Sequence, residues 1–210
     1  MATRASAFVG MLVTLLISTS LFADELDTEL TAFGGYRLGG SFDVQDTDGS
    51  YEWQDSSSFG LIWNHPYKDN TEWEVFLSQQ SSNAEFSGTA TLDPEVDVET
   101  TTLQIGGTYL WEGVTVQRYL VATIGGTHIK AESQGSESDT FLSGSMGLGV
   151  KIAPTSRLGL RLEARWIMVL TSNSTDLFCR TGPDLNVCAV AVEGDLFNQV
   201  ETFAGVVFRF

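Results

Sequence analysis

The stretch E-T-F-A-G-V-V-F-R-F, residues 201–210, closes the sequence and decides how the rest of it is read. Thr202, Ala204, Val206, Phe208 and Phe210 share one parity, while Glu201, Phe203, Gly205, Val207 and Arg209 share the other. Successive side chains of a β-strand point to opposite faces, so this period of two predicts a strand with two different surroundings. The first face is free of charge and suits lipid. The second carries an acid and a base.

The same pattern recurs upstream. Most clearly, Leu158, Leu160, Leu162, Ala164, Trp166, Met168 and Leu170 alternate with Gly159, Arg161, Glu163 and Arg165. Leu142, Gly144, Met146, Leu148, Val150 and Ile152 alternate with Ser143, Ser145, Gly147, Gly149 and Lys151. Further strands are predicted around Leu30 to Leu38, Ser57 to Trp63, Glu72 to Gln80 and Thr102 to Tyr109. One more runs over about residues 115–129, with faces too alike to assign.

Eight strands result, and the segments between them alternate in length. Residues 39–56, 81–97, 130–138 and 171–195 are long and polar, whereas residues 65–70, 111–113 and 153–157 are short turns. Pro66 cannot donate to a ladder, and Asp69 and Asn70 favour turn geometry. No apolar run after the N-terminus is long enough for a spanning helix, so a membrane protein of this sequence must be a closed barrel. The expected fold is all-β, an eight-stranded antiparallel up-and-down transmembrane β-barrel with short turns at one end and long loops at the other.

Residues 1–23 read as a signal peptide, with Arg4, a short apolar core and an end at Ala23, leaving residues 24–210 as the barrel domain. The 210 residues carry 27 acids and 11 bases, a net charge of −16, with a mean hydropathy of +0.03. Such a balance repels phosphates and excludes nucleic acid. Divalent cations at the acidic loops are the expected small partners, and a monomer is the expected state.

Glu72, Glu74, Lys151, Arg161, Glu163, Arg165, Glu201 and Arg209 fall on the inward faces, with Glu29 and Arg37 as companions. Facing lipid, each base at the midplane would cost about 2–4 kcal/mol. Inside, opposite charges can pair, and eight strands enclose a space that side chains just fill. A plugged lumen crossed by salt bridges is expected, serving either to fix register or as a gate or narrow ion path. The repeat of Ile105-Gly-Gly-Thr108 as Ile124-Gly-Gly-Thr127 reads as room for large side chains from opposite walls.

Trp63, Tyr67, Trp73, Tyr109, Trp111 and Tyr119 all lie near short turns, as a girdle at headgroup level would. Cys179 and Cys188 are the only cysteines and, in an exported protein, read as a disulfide across Gly182 and Pro183. Asp46, Asp48, Gly49 and Glu52 are a fragment of a calcium loop without its full spacing, so no metal site is assigned. The only histidines are His65, in a predicted short turn, and His128, near the outer end of the fifth strand. Neither a cofactor nor an enzymatic activity is expected.

Taken together, the signal segment, the alternating strands and the terminal R-F resemble the outer-membrane β-barrel (porin-like) family, the group of OmpA-, OmpX- and OmpW-type barrels. The segments F-G-G-Y-R-L-G-G-S-F (33–42), S-S-F-G-L-I (57–62) and R-L-G-L-R-L-E-A-R (157–165) carry the narrower likeness, to uncharacterised Gram-negative members. The resemblance implies a location in the outer membrane, contact with its lipid and lipopolysaccharide, and Phe208 and Phe210 as part of the signal read by the barrel-assembly machinery. It implies a structural or surface-interaction role, or else a narrow channel for small or hydrophobic solutes. The H-x-S pairing of barrel lipid A deacylases is missing, because Ile129 and Lys130 follow His128. The rival fold is a secreted lipocalin-like carrier with its apolar face turned inward.

Overall fold

The computed structural model describes residues 28–39, 41–43, 50–87, 95–131, 138–170, 179–181, 186–188 and 196–210. The expected signal peptide, residues 1–23, lies outside them, as do Asp46, Asp48 and Gly49 of the calcium-loop fragment. In chain order the strands are β1 (Glu29–Leu38), β2 (Ser41–Asp43), β3 (Ser50–Trp53), β4 (Ser56–Lys68), β5 (Thr71–Ser87), β6 (Glu95–Leu110), β7 (Val116–Ala131), β8 (Ser138–Ile152), β9 (Leu158–Leu170), β10 (Cys179–Thr181), β11 (Asn186–Cys188) and β12 (Leu196–Arg209).

Eight of these form the wall. Each of β1, β4, β5, β6, β7, β8, β9 and β12 is antiparallel to both neighbours, and β1 pairs with β12 from Glu29↔Arg209 to Leu38↔Val200, so the sheet closes without an edge. Closure matters because every backbone N–H and C=O in lipid must find its partner within the protein. Among the described residues no helix is long and apolar enough to cross a membrane. The crossing is made by strands.

The direction of the faces excludes the soluble carrier. Leu158, Leu160, Leu162 and Trp166 are 44–63% exposed, whereas Arg161, Glu163 and Arg165 on the same strand are at most 5% exposed. Apolar side chains turned outward and ionised ones turned inward are the arrangement that only a lipid solvent favours. The structure also assigns the faces of β7, turning Tyr119, Val121, Thr123, Thr127 and Ile129 inward and Leu120 and Ile124 outward.

All four polar segments expected to be loops contain strand, the segment 130–138 only at its ends, where β7 runs to Ala131 and β8 starts at Ser138. Residues 81–87 and 95–97 belong to β5 and β6, which stay in register from Thr71↔Tyr109 to Glu85↔Glu95. Within residues 39–56, β2 and β3 add to the outer part of β5. Within residues 171–195, β10 and β11 form a hairpin. Above the membrane both faces of a strand meet water, so side-chain alternation fades while the backbone ladder continues.

The short turns are tight. Asp69 and Ala153 take left-handed backbone angles, φ 46° and 55°, at the β4–β5 and β8–β9 turns. Both turns lie at the barrel end that also holds Glu29 and Arg209. Trp63, Tyr67, Trp73, Tyr109 and Trp111 ring this end and are 39–67% exposed, with Tyr67–Trp73 and Tyr109–Trp111 in edge contact at 5.4 Å. Tyr119 is the exception. It is 1% exposed and points into the lumen, where its hydroxyl is needed.

Candidate functional site

Among the described residues chemistry is concentrated in the lumen, which is built in layers along the barrel axis. The lowest layer, at the short-turn end, joins four strands. Lys151 Nζ donates to Glu29 Oε2 at 2.6 Å and to Glu72 Oε2 at 2.7 Å. Arg209 Nε donates to Glu29 Oε1 at 2.7 Å, and its Nη1 reaches the carbonyls of Ala153 at 3.1 Å and Ser156 at 2.7 Å. The last strand is thereby tied to the β8–β9 turn.

Above it lies a closed ring of four ions. Arg161 Nη2 bridges Glu74 Oε2 at 2.8 Å and Glu163 Oε2 at 2.6 Å, while Arg165 reaches Glu74 Oε1 and Glu163 Oε1, both at 2.6 Å. Each carboxylate holds both guanidinium groups, and all four side chains are 0% exposed. Charge-assisted pairs of this kind are stronger and more directional than neutral hydrogen bonds. Asn64 and Thr108 add donors to Glu74 Oε2 at 3.1 and 3.0 Å. The Tyr119 hydroxyl accepts from Arg161 Nε at 2.8 Å and donates to Glu163 Oε2 at 2.7 Å. The Arg161 guanidinium lies 4.7 Å from the centre of the Tyr119 ring, and that of Arg165 lies 3.9 Å from the centre of the Phe76 ring.

Aromatic and neutral polar side chains fill the middle. Phe33 stacks between Phe76 at 5.7 Å and Phe203 at 4.3 Å, with Ile62 in the same cluster. On the opposite wall Gln104 accepts from Thr123 and Ser145 and donates to Ser143 at 2.7–2.9 Å. A third ion cluster follows, the single pair Arg37 Nη2 to Glu201 Oε2 at 3.2 Å, bridged by Ser78 Oγ at 2.7 and 3.1 Å. At the long-loop end the inward positions turn apolar, with Val98, Ile129, Phe141, Ile167, Val169 and Phe197 buried.

Five cations and five carboxylates therefore face one another as three neutral clusters. The structure brings Glu74, Arg161, Glu163 and Arg165 together in one ring, joins Glu72, Lys151 and Arg209 through Glu29, and sets Glu201 apart with Arg37. Asn64, Ser78 and Gln104 complete the network and carry no mark in the sequence beyond their parity, and Tyr119, expected in the girdle, joins them. Phe208 and Phe210 stand outside on the lipid face, 44% and 45% exposed, with ring centres 6.0 Å apart. His65 and His128 point outward near opposite ends, each with Nδ1 at 3.0 Å from a threonine hydroxyl. Cys179 stands directly across from Cys188 in the register of β10 and β11. Among the described residues no group of three or more His, Cys, Asp or Glu could hold a metal ion.

Comparison with known proteins agrees with this architecture. A family model for the outer membrane protein beta-barrel domain matches residues 9–189. The crystal structure of Neisserial surface protein A is similar with a TM-score of 0.60 at 14% identity, covering 87% of this chain and 97% of that one. Ail, the attachment invasion locus protein of Yersinia pestis, in complex with the heparin analogue sucrose octasulfate, is similar with a TM-score of 0.50 at 16% identity, covering 88% and 99%. The outer membrane protein AlkL in DMPC bilayers gives 0.50 at 10% identity, covering 90% and 93%. No curated protein sequence matches the chain. At such identities the solved structures speak for the fold alone, but the family model spans most of the sequence, and the chain belongs to the outer membrane β-barrel family and resides in the outer membrane.

Proposed function

We propose that this protein is a closed, non-conducting platform in the outer membrane that acts at the cell surface through its acidic extracellular loops. The observation that carries this role is the filled lumen. Three neutral ion clusters, the stacked phenylalanines and an apolar outer layer leave little path for a hydrated ion, and an apolar constriction resists wetting. With five cations and five carboxylates cancelling inside, the whole net charge of −16 belongs to the remainder of the chain. Residues 39–56, 81–99, 130–139 and 171–195 hold seventeen acids against Lys130 and Arg180.

A surface of that sign repels anionic lipopolysaccharide unless cations bridge them, so Mg²⁺ or Ca²⁺ is the expected intermediary. It would also repel a sulfated sugar of the kind seen bound to Ail. The role further includes a disulfide between Cys179 and Cys188. Directly opposed strand residues have Cα atoms about 4.5–5.5 Å apart, within the range that a disulfide bridges. Closing that loop contributes roughly 2.5–3 kcal/mol on the chain-entropy model. Phe208 and Phe210 serve assembly in this scheme, and no catalysis is assigned.

A narrow channel is the second reading, and one observation favours it. Thr31 Oγ1, Arg37 Nε, Ser58 Oγ, Arg165 Nη1 and Arg209 Nη2 are buried without a hydrogen-bond partner, as polar groups lining small water pockets would be. Planar-bilayer recording separates the two. A silent bilayer, together with Mg²⁺-dependent binding to lipopolysaccharide vesicles that chelation abolishes, is expected of the platform; a reproducible open state would sink it.

A further inference from the structure

The outer wall of the barrel is not uniformly bulky. Around much of its circumference the lipid face is carried by Phe59, Leu61, Leu103, Ile105, Leu158 and Phe208, all at least 36% exposed. On β1, β12 and β9 small side chains interrupt this bulk, because the register sets Gly34 beside Ala204 and Thr202 beside Ala164. A groove of about 900 Å³ results. A second groove of about 870 Å³ lies alongside it, floored by Gly107 beside Ala122 and walled by Trp73 and Trp166. Leu120, Leu148 and Ala164 border both grooves. Both are open furrows between rows of outward side chains, not enclosed cavities.

One charged side chain marks the first groove. Arg118 belongs to its lining, next to Trp111, yet sits on the outward face of β7 only two positions from that strand's start at Val116. Its side chain is exposed and makes no ion pair or hydrogen bond among the described residues. An arginine turned toward lipid at this depth meets the headgroup level, where exposing it costs far less than at the midplane. Short turns identify this end as periplasmic, so the lipid beside it belongs to the periplasmic leaflet rather than to lipopolysaccharide.

We propose that these paired grooves form a binding site for one phospholipid of the periplasmic leaflet, its acyl chains lying on either side of the Leu120–Leu148 ridge and its phosphate held by Arg118. Charge selects this occupant. A guanidinium at the mouth of an apolar groove complements a phosphate attached to hydrocarbon, whereas a second copy of the barrel would press an uncompensated cation against apolar wall.

Native mass spectrometry tests the site with barrels released from nanodiscs of mixed phosphatidylethanolamine and phosphatidylglycerol. The wild-type barrel is expected to keep one phospholipid and to prefer phosphatidylglycerol. Ala164→Leu and Ala204→Leu fill the floor and Arg118→Gln removes the charge; each should weaken retention by about tenfold or more, a difference well resolved by titration. Leu103→Ala, elsewhere on the lipid face, should leave retention unchanged. All four changes face outward and avoid the lumen, and heat-modifiable migration verifies that each variant is folded. Equal retention in every variant would identify annular lipid only, no retained lipid would remove the site, and a dimer lost in Ala164→Leu would give the groove to a second copy; each outcome overturns the proposal.

Discussion

Glu74 is the residue on which most of the lumen's order converges. Its carboxylate receives two guanidinium groups, an amide and a hydroxyl, and is fully buried. Removing one partner of a buried ion cluster leaves the others uncompensated, at a typical cost of about 3–5 kcal/mol. Glu74→Gln is therefore expected to lower the free energy of unfolding in detergent by that order, as urea titration of the refolded barrel measures; a loss under about 1 kcal/mol, the range of exposed pairs, would mean that the ring is hydrated. Gly149 makes a second case. A Cβ there would fall on the Tyr119 phenol, so Gly149→Val must displace the ring that orders Arg161 and Glu163. Overpacking costs about 1–3 kcal/mol, and Tyr119→Phe, which keeps the ring but drops the hydroxyl, should cost less. Parity alone was enough to set the ionised side chains apart from the lipid face. It could not say which cation meets which carboxylate, because that depends on stagger between strands far apart in sequence. Tyr119 misled for a related reason: each face of β7 beside it carries one polar and one apolar side chain, Gln117 and Val121 on its own face and Arg118 and Leu120 on the other, so nothing local distinguishes a headgroup tyrosine from a lumen one.

The strands were legible where they cross lipid and obscure where they leave it. In β9 every outward residue from Leu158 to Leu170 is apolar, since hydrocarbon admits nothing else, and the alternation is complete. In β5 and β6 the ladder continues through Ser82↔Val98 and Asn83↔Asp97 into water, where composition no longer reports the face. This division predicts a difference in tolerance. Deleting residues 84–96 should leave a barrel that still refolds and migrates heat-modifiably, because the membrane part of both strands stays paired on two sides. A deletion of equal length within β9 should abolish refolding. The paired glycines also have an element-level cause that their spacing did not disclose. A Cβ at Gly106 would meet the backbone of Ala122 and Thr123, and one at Gly125 the backbone of Leu103 and Gln104, so these inward glycines allow β6 and β7 to approach and bend rather than making room for distant side chains. Gly125→Val should slow refolding into lipid more than Gly126→Val, whose new atoms would point outward into ordinary contact.

For the molecule as a whole, charge is partitioned: neutral in the lumen, strongly negative at the long-loop end. Surface charges are screened by salt within about 10 Å at 0.1 M and about 3 Å at 1 M, whereas buried pairs are screened far less. Raising the salt should therefore leave the contribution of the Arg161–Glu74–Arg165–Glu163 ring in place while relieving repulsion among the acidic loops. The expected result is an unfolding free energy that stays level or rises between about 0.05 and 1 M monovalent salt, with a steeper rise for Mg²⁺ at equal ionic strength if cations bridge the loops. Comparing Glu74→Gln across the same series isolates the lumen, since its deficit should not shrink with salt. A wild-type stability that fell with added salt would place the dominant ion pairs in contact with solvent, and the lumen would then have to be an open aqueous path instead of a plug.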